Sequence, residues 1–186
     1  DLQWKPLKEI KPDEIVVIAK SLPSDNSHID KSLGFMRIAG CYLGDGWARR
    51  REDGSDFNLA LFKPKQAQFY KNLMAEEFGQ IHCAQDNRGL HWYNKQITAS
   101  IEKHFNISLK SYSKEIPAWV WQCSKEQIQE LLMGILDADG YLNANGGHYL
   151  ELANIALLEQ IKALAIKCGW RTSNIYLRKG TRVASL

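Results

Sequence analysis

The sequence of 186 residues offers its clearest chemistry in two aspartates, Asp45 and Asp139, each directly followed by a glycine. They close the segments Ile38-Ala39-Gly40-Cys41-Tyr42-Leu43-Gly44-Asp45-Gly46 and Leu132-Met133-Gly134-Ile135-Leu136-Asp137-Ala138-Asp139-Gly140. The two coincide at Gly40/Gly134, Asp45/Asp139 and Gly46/Gly140, and each has a small residue, Gly44 or Ala138, four after its first glycine. Small residues at i and i+4 share a helix face, so two such helices can bring their backbones together along it. An acid at a helix C-terminus costs on the order of 0.3 to 1 kcal/mol against the helix dipole. Two carboxylates converging to about 4 Å repel by roughly 4 kcal/mol at an effective dielectric near 20. A divalent cation would remove that repulsion, and an all-oxygen ligand set without His or Cys favours magnesium over zinc. Asp45 and Asp139, with the adjacent Gly44 and Ala138, are therefore the expected metal-site residues. The plainer reading, that each Asp-Gly is only a turn into a strand, fits one copy better than two in matched positions.

The elements that must hold these acids form a repeated unit. Apolar residues from about Asp30 suit a helix ending at Gly46, and Gly46 and Gly140 suit the left-handed position that closes a helix. Trp47 to Arg51 and Phe57 to Phe62 are strand-like runs joined by Asp53-Gly54, and a second helix runs from about Lys65 to Phe78 before Gly79. Gln80 to Gln85 and Leu90 to Tyr93 flank a second turn, Asp86-Asn87-Arg88-Gly89, and Gln96 to Phe105 reads as a third helix. The order αββαββα then begins again: Ser124 with Gln127 is a capping box opening a helix to Gly140. Strands around Tyr141 to Asn143 and Gly147 to Leu152 follow, then a helix from Ile155 to Cys168, then Arg171 to Arg178 and Arg182 to Leu186. Gly46 and Gly140 are 94 residues apart and Gly79 and Gly169 are 90 apart, so the halves match as a diverged tandem duplication. The expected class is α+β, with residues 1–29 as a lead-in, 30–118 as a first repeat and linker, and 119–186 as a second repeat.

Composition bounds the rest. An apolar fraction of 45% is ordinary for a folded protein, and a net charge of +3 does not by itself separate a nucleic-acid binder from any enzyme. The apolar runs are too short to span a bilayer, so no membrane partner is expected. Cys41, Cys83, Cys123 and Cys168 are scattered, without zinc-ligand spacing, which reads as small buried hydrophobes in an intracellular, cytoplasmic protein. The start at Asp1 is read as a fragment of a longer chain.

The two segments resemble the paired motifs of the LAGLIDADG homing endonucleases, a likeness that extends with the αββαββα order over about Asp30 to Leu186. The resemblance implies a monomer with pseudo-twofold symmetry and two central packed helices. Two saddle-shaped antiparallel sheets would lie in the major groove of double-stranded DNA, and both strands would be cut across the minor groove, leaving short 3′ overhangs. It implies Mg2+ or Mn2+ as cofactor, with Ca2+ binding without supporting cleavage. Trp4 to Val17 further resembles the stretch that links an intein's splicing domain to its inserted endonuclease, although Pro12-Asp13 lacks the usual intervening glycine. A fusion to a splicing domain and host protein follows as an expectation.

A β-ribbon in the major groove turns alternate side chains toward bases. Phe57, Leu59 and Leu61 form an apolar row, leaving Asp56, Asn58 and Ala60 opposite, while Trp47, Arg49 and Arg51 share the parity of Asp45 and are expected to face DNA. Arg50 and Lys63 are expected nearer phosphate, and Arg88, Tyr141, Asn143 and Arg182 join the DNA-binding set. Buried Ile175 and Leu177 would turn Thr172, Asn174, Tyr176 and Arg178 outward. The family also uses a basic residue near the end of each repeat's second hairpin, orienting solvent or stabilising charge on phosphate. Lys95 stands there in the first half; its counterpart position holds Ser185, and Lys179 is the substitute within reach. Two readings compete: a protein-splicing element, disfavoured by Asp1 and by Ser185-Leu186 where splicing needs a nucleophile and a His-Asn pair, and a non-cleaving regulator or maturase, disfavoured by the two acids.

Overall fold

The computed structural model describes residues 5–12, 14, 29–52, 54–142, 147–177 and 184–185. Helix α1, Leu33–Asp45, opens where the Ser32 hydroxyl accepts from the Phe35 amide, and it is apolar nearly all round because it is the centre of the molecule: Met36, Ile38, Ala39 and Cys41 are fully buried. Strands β1 (Gly46–Arg50) and β2 (Ser55–Leu59), helix α2 (Pro64–Phe78), strands β3 (Cys83–Asp86) and β4 (Gly89–Trp92) and helix α3 (Lys95–His104) complete the first half. The four strands form one antiparallel sheet in the order β1-β2-β4-β3. Its core face stacks Tyr42 of α1 on Phe57, with Phe57 in turn against Trp92.

The second half repeats this plan. Helix α4, Lys125–Asp139, starts at the anticipated capping box, with both reciprocal Ser124–Gln127 bonds made. Strands β5 (Gly140–Leu142) and β6 (His148–Leu152), helix α5 (Ile155–Lys167) and the short strands β7 (Tyr176–Leu177) and β8 (Ala184–Ser185) follow. Their sheet order, β5-β6-β8-β7, copies that of the first half. Among the described residues no helix is long and apolar enough to cross a membrane.

The halves meet at α1 and α4, which cross at Gly40 and Gly134. A Cβ on Gly40 would lie 1.9 Å from the Leu131 carbonyl oxygen, and one on Gly134 would lie 2.1 Å from that of Arg37. Glycine is required here because backbone meets backbone. The closing glycines differ from the sequence expectation: Gly46 (φ −107°) and Gly140 (φ −89°) are extended rather than left-handed. Their reason is again proximity, since a Cβ would come within 2.6 Å of the Tyr42 Cα and 2.4 Å of the Leu136 carbonyl oxygen. Each helix therefore runs straight into a strand, and among the described residues the glycines with positive φ are Gly79 and Gly169, after α2 and α5, and Gly89, at the start of β4.

Candidate metal centre and nucleic-acid face

Because α1 and α4 cross along small residues and end together, their final residues converge. A Cβ on Gly44 would lie 2.7 Å from the Ala138 Cβ and 3.0 Å from Asp139 Oδ2, so the Asp139 carboxylate rests against the last turn of the opposite helix. Burial, and then the charge of Asp45, push the Asp139 carboxyl up to about 6. Asp45 itself is exposed, which leaves the pair open on one side.

The cation nearest in effect to these acids is Lys114, in the linker between the halves and 6% exposed. Its Nζ donates to the carbonyl oxygens of Tyr42 and Gly46 at 2.6 Å each and lies 4.7 Å from the Tyr42 ring centroid. An ammonium in this position adds a second donor to the Tyr42 carbonyl, which already accepts from the Gly46 amide, and offsets the helix dipole that Asp45 opposes. Burial lowers Lys114 to about 8, while Asp45 and Asp139 pull it upward. The second half holds the linker in place: Asn154, the N-cap of α5, donates to the Lys114 carbonyl at 2.7 Å, and Gln160 accepts from the Ile116 amide at 2.8 Å. Sequence reasoning missed Lys114 because Ser-Tyr-Ser-Lys-Glu reads as a solvated loop, and only tertiary packing buries it. Lys95 is exposed in the first turn of α3. Lys179 lies outside the described residues.

Beside the acids, Asp137 is held by bonds from the first half: Arg37 Nε and the Tyr70 hydroxyl each donate to its Oδ2 at 2.7 Å, and Gln66 donates to its carbonyl at 2.6 Å. Burial works against the Arg37 charge, but the hydrogen bond and field of Asp137 outweigh it and raise the guanidinium above its ordinary value. The motif position equivalent to Asp137 in the first half is the buried Leu43, so this tie is made once. Arg37, Gln66 and Asp137 border an open groove of about 750 Å³ that also includes Lys63, Lys65 and Phe69.

The strand parity read from sequence matches the register. Ala48, Phe57 and Trp92 align on the core face, and Trp47, Asn58, His91 and Ala84 align on the other, with Arg49 directly opposite Asp56. On that outer face Arg49 and Arg51 are about half exposed, and both address Asp56 Oδ2, at 3.5 and 3.2 Å. Asp56 is 4% exposed, and its Oδ1 is the buried side-chain oxygen or nitrogen without a partner among the described residues. Asn58 is buried too, its amide donating to the Trp47 carbonyl and its oxygen 2.5 Å from His91 Nδ1. His91 Nε2 lies 2.7 Å from Asp86, which also takes Arg88. The Arg88 amide and then His91 hold the Asp86 carboxyl down to about 2. Arg50 points the other way, paired with Glu102 on α3, and Lys63 is exposed at the start of α2. In the second half Tyr141 stacks on Tyr149 with centroids 5.3 Å apart, on the face opposite the buried Leu150. Asn174 and Tyr176 are exposed and Thr172 is half-buried. Asn143, Arg178 and Arg182 lie outside the described residues.

No family model matches the chain. Among curated proteins it is 25% identical over 191 residues to an iron-sulfur cluster assembly SufBD family protein of Mycobacterium leprae, covering 89% of this chain and 22% of that protein. It is 24% identical over 170 residues to the DNA polymerase II large subunit of Thermococcus kodakarensis, covering 86% of this chain and 9% of that subunit. The chain thus spans about a fifth of one curated relative's length and about a tenth of the other's. Among solved structures it is similar to I-DmoI in complex with DNA and Mn, with a TM-score of 0.58 and 15% sequence identity over 82% of this chain and 86% of that one. This likeness shows the fold, an α+β architecture shared with I-DmoI.

Proposed function

We propose that this chain is a homing-type endonuclease that hydrolyses both strands of a long DNA target between its two sheets. The observation that carries this reading is the convergence of Asp45 and Asp139 at equivalent ends of two duplicated helices, with Asp139 held up to about 6. Two carboxylates that destabilise each other, open to solvent and within the influence of a buried ammonium, make sense as a place for positive charge to arrive.

The donor set fits a hard divalent cation. Among the described residues no cluster of three or more His, Cys, Asp or Glu converges, so the protein would supply two carboxylates and leave solvent and phosphate to complete the shell, the arrangement Mg2+ accepts. Asp45 and Asp139 would hold the ion, with Gly44 and Ala138 beside them; Mn2+ would serve as well, and Ca2+ would bind without supporting cleavage. Such an ion, when bound, lowers the pKa of a coordinated water and stabilises the leaving oxygen. Lys114 contributes a fixed positive charge beside the acids, with Lys95 and Lys179 as further basic residues for the phosphate. Trp47, Arg49, Arg51 and His91 line the face that would meet base edges. The fold likeness to a nuclease structure that contains DNA and Mn supports this assignment.

The same module inside two long proteins with unrelated names supports a second part of the reading, that the endonuclease travels as an insert such as an intein. It would act as a monomer inside the cell, where it reaches DNA. Incubation with a randomised duplex library, followed by sequencing of cut ends, tests the function. One family of related sequences cut on both strands is expected with Mg2+, and none with Ca2+ or chelator; specific binding falls steeply as salt rises. Selective binding without cleavage in either Mg2+ or Mn2+ would make the chain a non-cleaving DNA-binding relative.

A further inference from the structure

Resting on the reading that DNA lies against the first sheet, we propose that Asp56 is a specificity-determining positioning residue that presents Arg49 and Arg51, as a pair, to guanine edges in the major groove.

Asp56 is out of place on a surface that attracts DNA. It is 4% exposed on the outer side of the sheet, where its charge repels phosphate, and its Oδ1 is buried without a partner. A packing role does not explain it, since an apolar side chain would fill the position without an unmet acceptor. What Asp56 does have is two arginines. Arg49 is its direct cross-strand partner and Arg51 the next residue of the same parity on β1's continuation, and both guanidinium groups address its Oδ2. The arginines are half exposed while Asp56 is buried, so the carboxylate gives a common direction to two side chains that solvent would otherwise leave mobile.

Two arginines this close repel and would splay into solvent without an anion between them. Each guanidinium addresses Oδ2 through one terminal nitrogen, which leaves its other N–H groups for a further acceptor. That geometry matches the O6 and N7 acceptors of guanine. Oδ1 stays available, so either arginine can close a second bond onto the carboxylate when a base fixes its outer edge. The other acid–base contacts are arranged differently. Arg50 meets Glu102 on the opposite side of the sheet, and Arg88 meets Asp86 within its own tight turn.

The experiment reads base preference, using sequencing of library duplexes bound in Ca2+, beside affinity for random-sequence duplex and urea unfolding. Arg49→Ala and Arg51→Ala locate the base pairs that these residues read. Asp56→Asn should then reduce guanine preference at the same base pairs about tenfold while raising affinity for random-sequence DNA a few-fold at low salt, because one negative charge has gone. In the Arg49→Ala/Arg51→Ala background Asp56→Asn should change preference no further. Asp56→Glu, which keeps the charge but moves it by one methylene, should shift preference at those base pairs too. If the arginine variants lose preference and neither Asp56 variant does, Asp56 is structural and this inference falls alone. If the parent protein has no base preference, the assignment of the DNA face falls and takes this inference with it.

Discussion

Asp139 carries a charge that the folded protein would be more stable without. Its carboxyl is raised to about 6 by burial and by Asp45, against an ordinary value of 3.8. Between those two values the native state keeps a proton that the unfolded chain releases, so this group's contribution to stability falls as pH rises through the window and stays low above it. Asp139→Asn removes the charge and keeps the shape. In chelator the variant should match the parent below the window and exceed it at pH 7 by at most about 3 kcal/mol. Urea unfolding across the pH range measures this, and a variant less stable than the parent at pH 7 would mean that the carboxylate is a structural ligand within the protein. Divalent ion should reverse the order, because only the parent has the full charge to bind it.

Among the elements, the convergence of the two acids depends on how closely α1 approaches α4. Gly40→Ala and Gly134→Ala each place a methyl group against a main-chain oxygen that cannot rotate away, so the helices must part, with an expected loss of about 3 kcal/mol or more. Gly54→Ala, with nothing within 4 Å of its new Cβ, should lie within about 0.5 kcal/mol of the parent. Chemical denaturation of the three variants decides the point, and parent-like stability of Gly40→Ala would rule out the close crossing. This crossing was legible in the sequence because small residues at matched spacing have few other uses, and so were the strand faces, because alternation at β2 leaves Phe57 and Leu59 one destination. Lys114 was not legible, because its burial is imposed by Asn154 and Gln160 from the other half. The partner of Arg50 was hidden for a related reason, since Glu102 lies on α3. The left-handed assignment of Gly46 failed because a helix that feeds directly into a strand needs an extended residue there, and glycine serves for space rather than for φ.

The molecule as a whole is one plan used twice with two different surfaces. Both sheets share a strand order, and among the described residues the first sets arginines among carboxylates and a buried histidine while the second carries a stacked tyrosine pair. What remains common to the halves is the pair of acids at the seam, where cleavage would take place. The direct measurement takes a duplex target selected from the library and compares the parent, Asp45→Asn and Asp139→Asn for cutting, affinity and melting temperature, each with magnesium and with chelator. Both variants should fold, keep DNA affinity within about threefold of the parent because the proposed positioning contacts lie on the strands, and lose double-strand cleavage. Cleavage of both strands by either variant at near-parental rate would contradict this role of the two acids, and so would loss of cutting that occurs only because the variants unfold.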